Sequence, residues 1–263
     1  MAYFAARHGG ITMKPSTVRG IAGFVVFFGT WQALASMGWI NPVLLPSPLQ
    51  LAAAAYELTE QGVLWRHTLA SLDRVLTGFL LAALTGIALG VALGWSQVLS
   101  DLVRPLVESV RPIPPIAWTP IAILWFGVGD APSYFLVFIG AVFPVFINTF
   151  SAVRNIDRVQ INAALSLGAR PGLLIRDVII PASLPVIFPG LRIALGVGWM
   201  CVVAAELIAA QSGLGYMIQQ NRVLLQTQNV VTGMITIGIV GFIMSALMEI
   251  AERRLLPWME RPK

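Results

Sequence analysis

The chain has 263 residues, of which 57% are hydrophobic, 11% charged and 10% aromatic, with a net charge of +5 from 17 Lys and Arg against 12 Asp and Glu. Soluble domains carry about 25% charged residues, so less than half the usual charge is available to face water, and disorder requires far lower hydrophobicity. The basic residues are scattered between long charge-free runs instead of forming a stripe, which excludes a nucleic-acid-binding face and makes a lipid bilayer the expected solvent.

A spanning helix needs about 20 mostly apolar residues. Charge-free runs trimmed at turn signals predict six of them, over 20–38, 75–97, 105–127, 132–153, 187–210 and 230–251. The first follows Arg7, Lys14 and Arg19 and passes Ala33-Leu34-Ala35, a pattern shared with cleavable leaders. Its apolar character continues through Trp39 and Ile40, so a retained helix is expected. Residues 41–66 open with Asn41-Pro42 and Pro46-Ser47-Pro48 and become Ala-rich with Glu57 and Glu60, which predicts a turn and a short surface helix.

The second span places Gly78, Ala82, Gly86, Gly90 and Gly94 four residues apart on one face. Such a stripe lets a neighbouring backbone approach closely; it fits packing within the subunit or an interface between two subunits, and its spacing does not separate them. The third span begins Arg111-Pro112-Ile113-Pro114-Pro115 and has a further Pro120. Each proline removes a backbone donor, and broken backbone at membrane depth is tolerated when it is buried in protein or lines a cavity. A cavity wall and a kinked scaffold helix both fit. Arg154 to Pro185 forms a long loop too apolar for disorder, so short docking helices are expected there. The fifth span repeats the small-residue theme with Gly190, Ala194 and Gly198, and must tolerate Glu206 near its end.

Counting Lys and Arg by loop orients the chain. With the N-terminus inside, the inner segments hold Arg7, Lys14, Arg19, Arg104, Arg154, Arg158, Arg170, Arg176, Arg253, Arg254, Arg261 and Lys263. The outer segments hold Arg66, Arg74 and Arg222, with Arg111 and Arg192 near span ends. Both termini are therefore expected in the cytoplasm.

The missing chemistry narrows the function. The two lysines, Lys14 and Lys263, do not follow a glycine, so the chain has no P-loop for ATP. His8 and His67 have no partner pattern and are read as solvated or interfacial, and no metal site is expected. Cys201, a lone cysteine in an apolar run, is read as inert packing. No intramembrane charge pairs of the kind used by proton-coupled carriers are apparent. The chain reads as a conduit without its own engine.

The long loop carries Asn162-Ala163-Ala164, Gly168-Ala169, Val178-Ile179-Ile180-Pro181 and Pro185. This resembles the signature loop of binding-protein-dependent ABC importer permeases, in which Glu-Ala-Ala is followed by Gly and Ile-x-Leu-Pro. Gly168 at the seventh place and Pro181 at the twentieth, counted from Asn162, match that spacing. Further similarity runs from about Pro46 to Trp258. It includes Ser71-Leu72-Asp73-Arg74-Val75, the stretch Pro112 through Gly129, Gly190-Leu191-Arg192, Ala204-Ala205-Glu206 and Gly213-Leu214-Gly215. These look like the nitrate, taurine, alkanesulfonate and bicarbonate branch.

The resemblance implies an all-α, six-helix type I importer permease in a bacterial cytoplasmic (inner) membrane, non-catalytic and importing a small anion by alternating access. It implies a second permease copy, two ATP-binding subunits that hold ATP and Mg, and an extracytoplasmic solute-binding protein. An ATP-independent secondary transporter or channel is the alternative. The implied layout is 1–66 for the N-terminal tail, first helix and outer segment, 67–255 for the permease domain with its coupling loop at 154–185, and 256–263 for a tail. The implied ATPase-coupling residues are Asn162, Ala163, Ala164, Leu167, Gly168, Ala169 and Pro181. Arg192, Trp199, Glu206, Pro115 and Trp125 are the pathway candidates. Asn162 departs from the family's Glu; as a helix-capping residue it would preserve helix entry while losing a charged contact to the ATPase.

Overall fold

A computed structural model describes residues 15–41 and 43–257, and the regular elements among them are all helical. The expectations for Arg7, His8, Lys14, Arg261 and Lys263 lie outside the described residues. Helix α1 (Pro15–Ser36) leads through a turn to α2 (Pro48–Glu60). Ser47 caps α2 in a reciprocal box: its hydroxyl accepts from the Gln50 N–H at 3.3 Å, and the Gln50 side chain accepts from the Ser47 N–H at 2.8 Å. Pro48 at the first helical position loses no hydrogen bond there.

Helix α3 (Val63–Trp95) starts well before the expected position 75, because helix formation tolerates the charges that a hydropathy count excludes. Its stripe of small residues packs on α6 (Ala131–Arg154) within the subunit. A Cβ added at Gly78 would stand 2.7 Å from Val137 Cβ, at Gly86 2.9 Å from Val145 Cβ, at Gly90 2.5 Å from Thr149 Cβ, and at Gly94 2.7 Å from Val153 Cβ. Every contact has the same offset of 59 residues (137 less 78, 153 less 94), so α3 and α6 lie parallel and in register. Two parallel helices require the intervening chain to return along the bundle.

That return is made by the proline-rich segment, and not by the single helix expected over 105–127. The amphipathic α4 (Gln97–Val110) ends at Arg111, a 3₁₀ turn covers Pro115–Trp118, and α5 (Thr119–Phe126) completes the passage. Pro112, Pro114 and Pro115 have no N–H to continue the α-helical ladder, which is why the break falls there.

After α6 the expected loop is helical for most of its length. It contains α7 (Arg158–Ser166) and the start of a long helix formed by α8 (Pro171–Leu174), a π-helical turn (Ile175–Ile179) and α9 (Ile180–Ile208). The fifth expected span thus begins at Pro171, not at 187, and Pro181 and Pro185 lie within it. Helix α9 is antiparallel to α6: Gly140 faces Cys201 and Val197, while Gly190 faces Asn148. Helix α10 (Leu214–Val223), absent from the sequence expectations, bridges to α11 (Thr227–Leu255) and packs on both α9 and α11.

The core is centred on Val75, Val137, Ala141, Val145, Ala194, Trp199 and Val202, where α3, α6 and α9 meet. Among the described residues, four helical stretches are long and apolar enough to cross a membrane: Val63–Trp95, Ala131–Arg154, Pro171–Ile208 and Thr227–Leu255. Two shorter apolar helices, Ala22–Ser36 and Pro115–Phe126, lie beside them in sequence order. The chain is a multi-pass membrane protein.

Candidate functional site

Helix α7 is the first candidate. Asp157 caps it, its carboxylate accepting from the Val159 N–H at 2.9 Å. Asn162 is therefore not the cap; it sits inside the helix with its side chain exposed. At the other end Gly168 adopts φ +81°. The Gly168 N–H donates to Leu165 O at 2.9 Å and the Ala169 N–H to Ala164 O at 3.1 Å, the paired bonds of a Schellman stop that requires a left-handed residue.

One face of α7 uses Ile161 and Ala164 to pack against Val153, Leu174 and Ile179. The opposite face presents Asn162 and Ala163, and Leu167 at the C-terminal end is 89% exposed. A short helix with small residues and one protruding leucine can seat in another protein's cleft. Pro181 is partly buried at the start of α9 and belongs to the helix on which α7 rests.

The pathway candidates divide by environment. Pro115 lines a cavity of about 350 Å³ between the 111–115 segment, α6 and α9. Trp125 is exposed, its ring edge-on to Phe135 at 5.9 Å. Arg192 donates through Nη2 to Glu252 Oε2 at 2.7 Å, tying α9 to the C-terminal part of α11. Trp199 is buried, its indole N–H donating to Ile237 O at 3.2 Å beside Gly241, so it packs in the core.

Glu206 is not an interfacial carboxylate. It is 1% exposed and forms the centre of a buried polar cluster that the sequence expectations missed. The Arg74 Nη1 donates to Glu206 Oε1 at 2.6 Å, the Ser71 hydroxyl donates at 2.8 Å, and the Gly215 N–H donates to Oε2 at 2.9 Å. Arg74, also 1% exposed, reaches Asp130 Oδ1 at 2.5 Å and Ser212 O at 2.7 Å. The cluster thus joins α3, the start of α6, the end of α9 and the turn into α10. Gly213 (φ +104°) and Gly215 close over the carboxylate where a Cβ would collide with Glu206. His67, expected to be solvated, is 3% exposed and accepts from the Gly213 N–H through Nδ1 at 3.0 Å.

The signals for this cluster were present but separate. Ser71 and Arg74 share a helix face at i, i+3, and Glu206 stands alone in an apolar run seven residues before a glycine pair. Nothing in linear spacing says that these three places meet. The expectation of no charge pair within the spans is corrected by the Arg74–Glu206 contact.

Residues 82–261 match the family described as binding-protein-dependent transport system inner membrane component. The chain belongs to that family. The permease is 37% identical over 243 residues to the taurine transport system permease protein TauC of Escherichia coli, covering 90% of this chain and 88% of that one. It is 35% identical to a putative aliphatic sulfonates transport permease protein of Bacillus subtilis, covering 92% and 87%. It is 33% identical to the nitrate import permease protein NrtB of Leptolyngbya laminosa, covering 94% and 90%.

The fold also matches a chain of the inward-facing MetNI methionine ABC transporter, with a TM-score of 0.65 and 20% identity over 77% of the permease and 99% of that chain. At that identity the match concerns the fold: an all-α type I importer permease. As a permease subunit the chain is not the ATPase; hydrolysis belongs to separate subunits of such transporters.

Proposed function

We propose that this permease is a membrane-spanning subunit of an ATP-driven importer of a small anion of the nitrate, bicarbonate, taurine or alkanesulfonate class. The observation that carries this reading is one-third identity or more to taurine, sulfonate and nitrate permeases along nine-tenths of the chain. An ATP-independent carrier has no comparable support. The chain crosses the inner membrane six times with both termini in the cytoplasm, α1 and the 111–126 passage adding two crossings to the four long apolar stretches. Residues 67–255 form the transport domain, preceded by an anchoring segment over 1–66 and followed by a tail over 256–263.

The working complex pairs two copies of the permease with two ATP-binding subunits, which hold ATP and Mg, and an extracytoplasmic binding protein. Helix α7 seats in the ATPase subunit through Asn162, Ala163, Leu167 and the Gly168 turn, with Ala164, Ala169 and Pro181 setting its angle. ATP-driven closure of the two ATPases moves the paired α7 helices and switches the access of the path. Co-reconstitution of the permease, the ATP-binding subunit and the binding protein in proteoliposomes tests the reading: ATP-dependent uptake of at least one of nitrate, bicarbonate, taurine or ethanesulfonate is expected. Uptake that ignores ATP would overturn it.

Two variants probe the coupling face. Gly168→Val forces a β-branched residue into the left-handed region, at a cost of about 1–2 kcal/mol, and dislodges the turn. Binding-protein-stimulated ATP hydrolysis is expected to fall at least about tenfold with the complex still assembled; unchanged stimulation would remove α7 from the coupling role. Asn162→Glu is expected to leave hydrolysis and uptake near wild type, since Asp157 supplies the cap and position 162 is exposed. A large loss in that variant would show that the exposed face rejects charge.

A further inference from the structure

We infer that Arg111 is the anion-selecting group of this permease, its guanidinium binding the oxyanion head of the transported solute in the cavity that also contains Pro115. The inference rests on the import reading above and specifies how that path recognises charge.

The position of Arg111 is the first observation. Helix α4 ends at this residue, whose N–H donates to Val107 O, and the proline run turns the chain inward against α6. The cavity brings Arg111 beside Pro144, Ile147 and Asn148 of α6 and Ile193 of α9. Asn148 lies six residues, or about 9 Å at the helical rise, inside the Arg154 end of α6. Arg111 is exposed where it borders this cavity, beside the 144–148 turn of α6 and not at its Arg154 end.

The second observation is its lack of a counter-charge. The other arginines set into the bundle are neutralised, Arg74 by Glu206 and Asp130 and Arg192 by Glu252. Arg104, one helical stretch earlier, pairs with Glu108. Among the described residues Arg111 has no hydrogen-bond or ion-pair partner through its side chain. Its exposed guanidinium is thus free to meet an anion in the cavity it borders, and unpaired cations along a transport protein's cavities mark ion routes.

The third is the chemistry of the lining. Apart from Arg111 its side-chain donor is Asn148, whose amide is held by an N–H bond to Pro144 O at 2.8 Å and by Gly190, which leaves no room between the helices. The remaining side chains are Ile, Val, Phe and Pro, with Gly140 among them. A planar guanidinium pairs with two oxygens of a nitrate, carboxylate or sulfonate at once, an amide N–H can take a third, and apolar walls accommodate a short alkyl chain. A volume of about 350 Å³ admits such a solute with some water. A cationic solute would meet an unscreened positive charge in a low-dielectric wall.

Charge-selective labelling tests this directly. In a Cys201→Ala background, Ile147→Cys places a thiol in the lining, and the purified permease is treated with the anionic sulfonatoethyl or the cationic trimethylammonium-ethyl methanethiosulfonate. The ratio of anionic to cationic rates is expected to fall roughly tenfold when Arg111→Gln is added, and to be retained with Arg111→Lys. An unchanged ratio with Gln, or its loss with Lys, would overturn the assignment.

In the reconstituted complex, Arg111→Gln is expected to lower anion uptake about 10- to 100-fold, the worth of one charged hydrogen-bonded contact, with the complex still assembled. Uptake at the wild-type rate would equally overturn it. Failure of the wild-type complex to import any of the four probes would refute the import reading alone, because the labelling ratio reads Arg111 without transport.

Discussion

Arg74→Leu is expected to lower the stability of the permease by about 3–5 kcal/mol, the usual cost of removing one partner from a buried ion pair. The carboxylate left behind has almost no access to water: Glu206 is 1% exposed and would retain the Ser71 hydroxyl and the Gly215 N–H as its donors. The damage would spread, because Arg74 also holds Asp130 at the start of α6 and Ser212 in the turn before α10. Thermal unfolding in detergent, followed by the loss of monodisperse protein on size exclusion, measures it. Adding Glu206→Leu to Arg74→Leu removes the stranded charge and should recover a large part of the loss, since apolar replacement of a buried pair is often neutral. A single Arg74→Leu variant that melts with wild type would show that the cluster contributes little.

Gly90→Val is expected to be comparably severe, at about 3 kcal/mol or more, the upper end of overpacking costs. A Cβ there would stand 2.5 Å from Thr149 Cβ, 2.8 Å from its Cγ2 and 3.0 Å from the Phe150 backbone nitrogen. Neither a β-branched side chain in a helix nor a helical backbone can swing away, so α3 and α6 would have to separate and lose their contacts at Gly86 and Gly94 as well. Gly238→Ala is the control: nothing lies within 4 Å of a Cβ at that position, and helix propensity favours alanine by about 1 kcal/mol. Yields of assembled protein should drop sharply for Gly90→Val and hold for Gly238→Ala; equal yields would mean that the stripe is not a packing seam.

These two sites also show how far sequence reading reaches. The glycine stripe was visible as a period of four, but its partner was not, because spacing reports which residues share a face and is silent on what covers it. The parallel alignment with α6 resolves the choice between subunit packing and a subunit interface in favour of the former. The polar cluster was less accessible. Ser71, Arg74, Glu206 and Gly213 appear as unremarkable pieces of three separate motifs, and hydropathy treats each charge as an interruption of a span. In the folded chain the charges cancel each other, so α3 can carry Arg74 within a helix that runs to Trp95.

Composition and charge placement by themselves determined that the protein lives in a bilayer, and the loop from Asn162 to Pro181 pointed to its family. Both are local or additive properties: lipid selects for apolar runs wherever they fold, and a docking loop keeps its spacing. Tertiary structure decided the rest. It split the third expected span into α4, a 3₁₀ turn and α5, extended the fifth back to Pro171, and buried Glu206 and Trp199 among the helices of the chain. It also separated the arginines that are neutralised by distant carboxylates from Arg111, which has none among the described residues. Whether a charge is a strut or a receptor depends on what stands opposite it, and for Arg74 and Glu206 that is fixed by helices brought together from positions 132 residues apart.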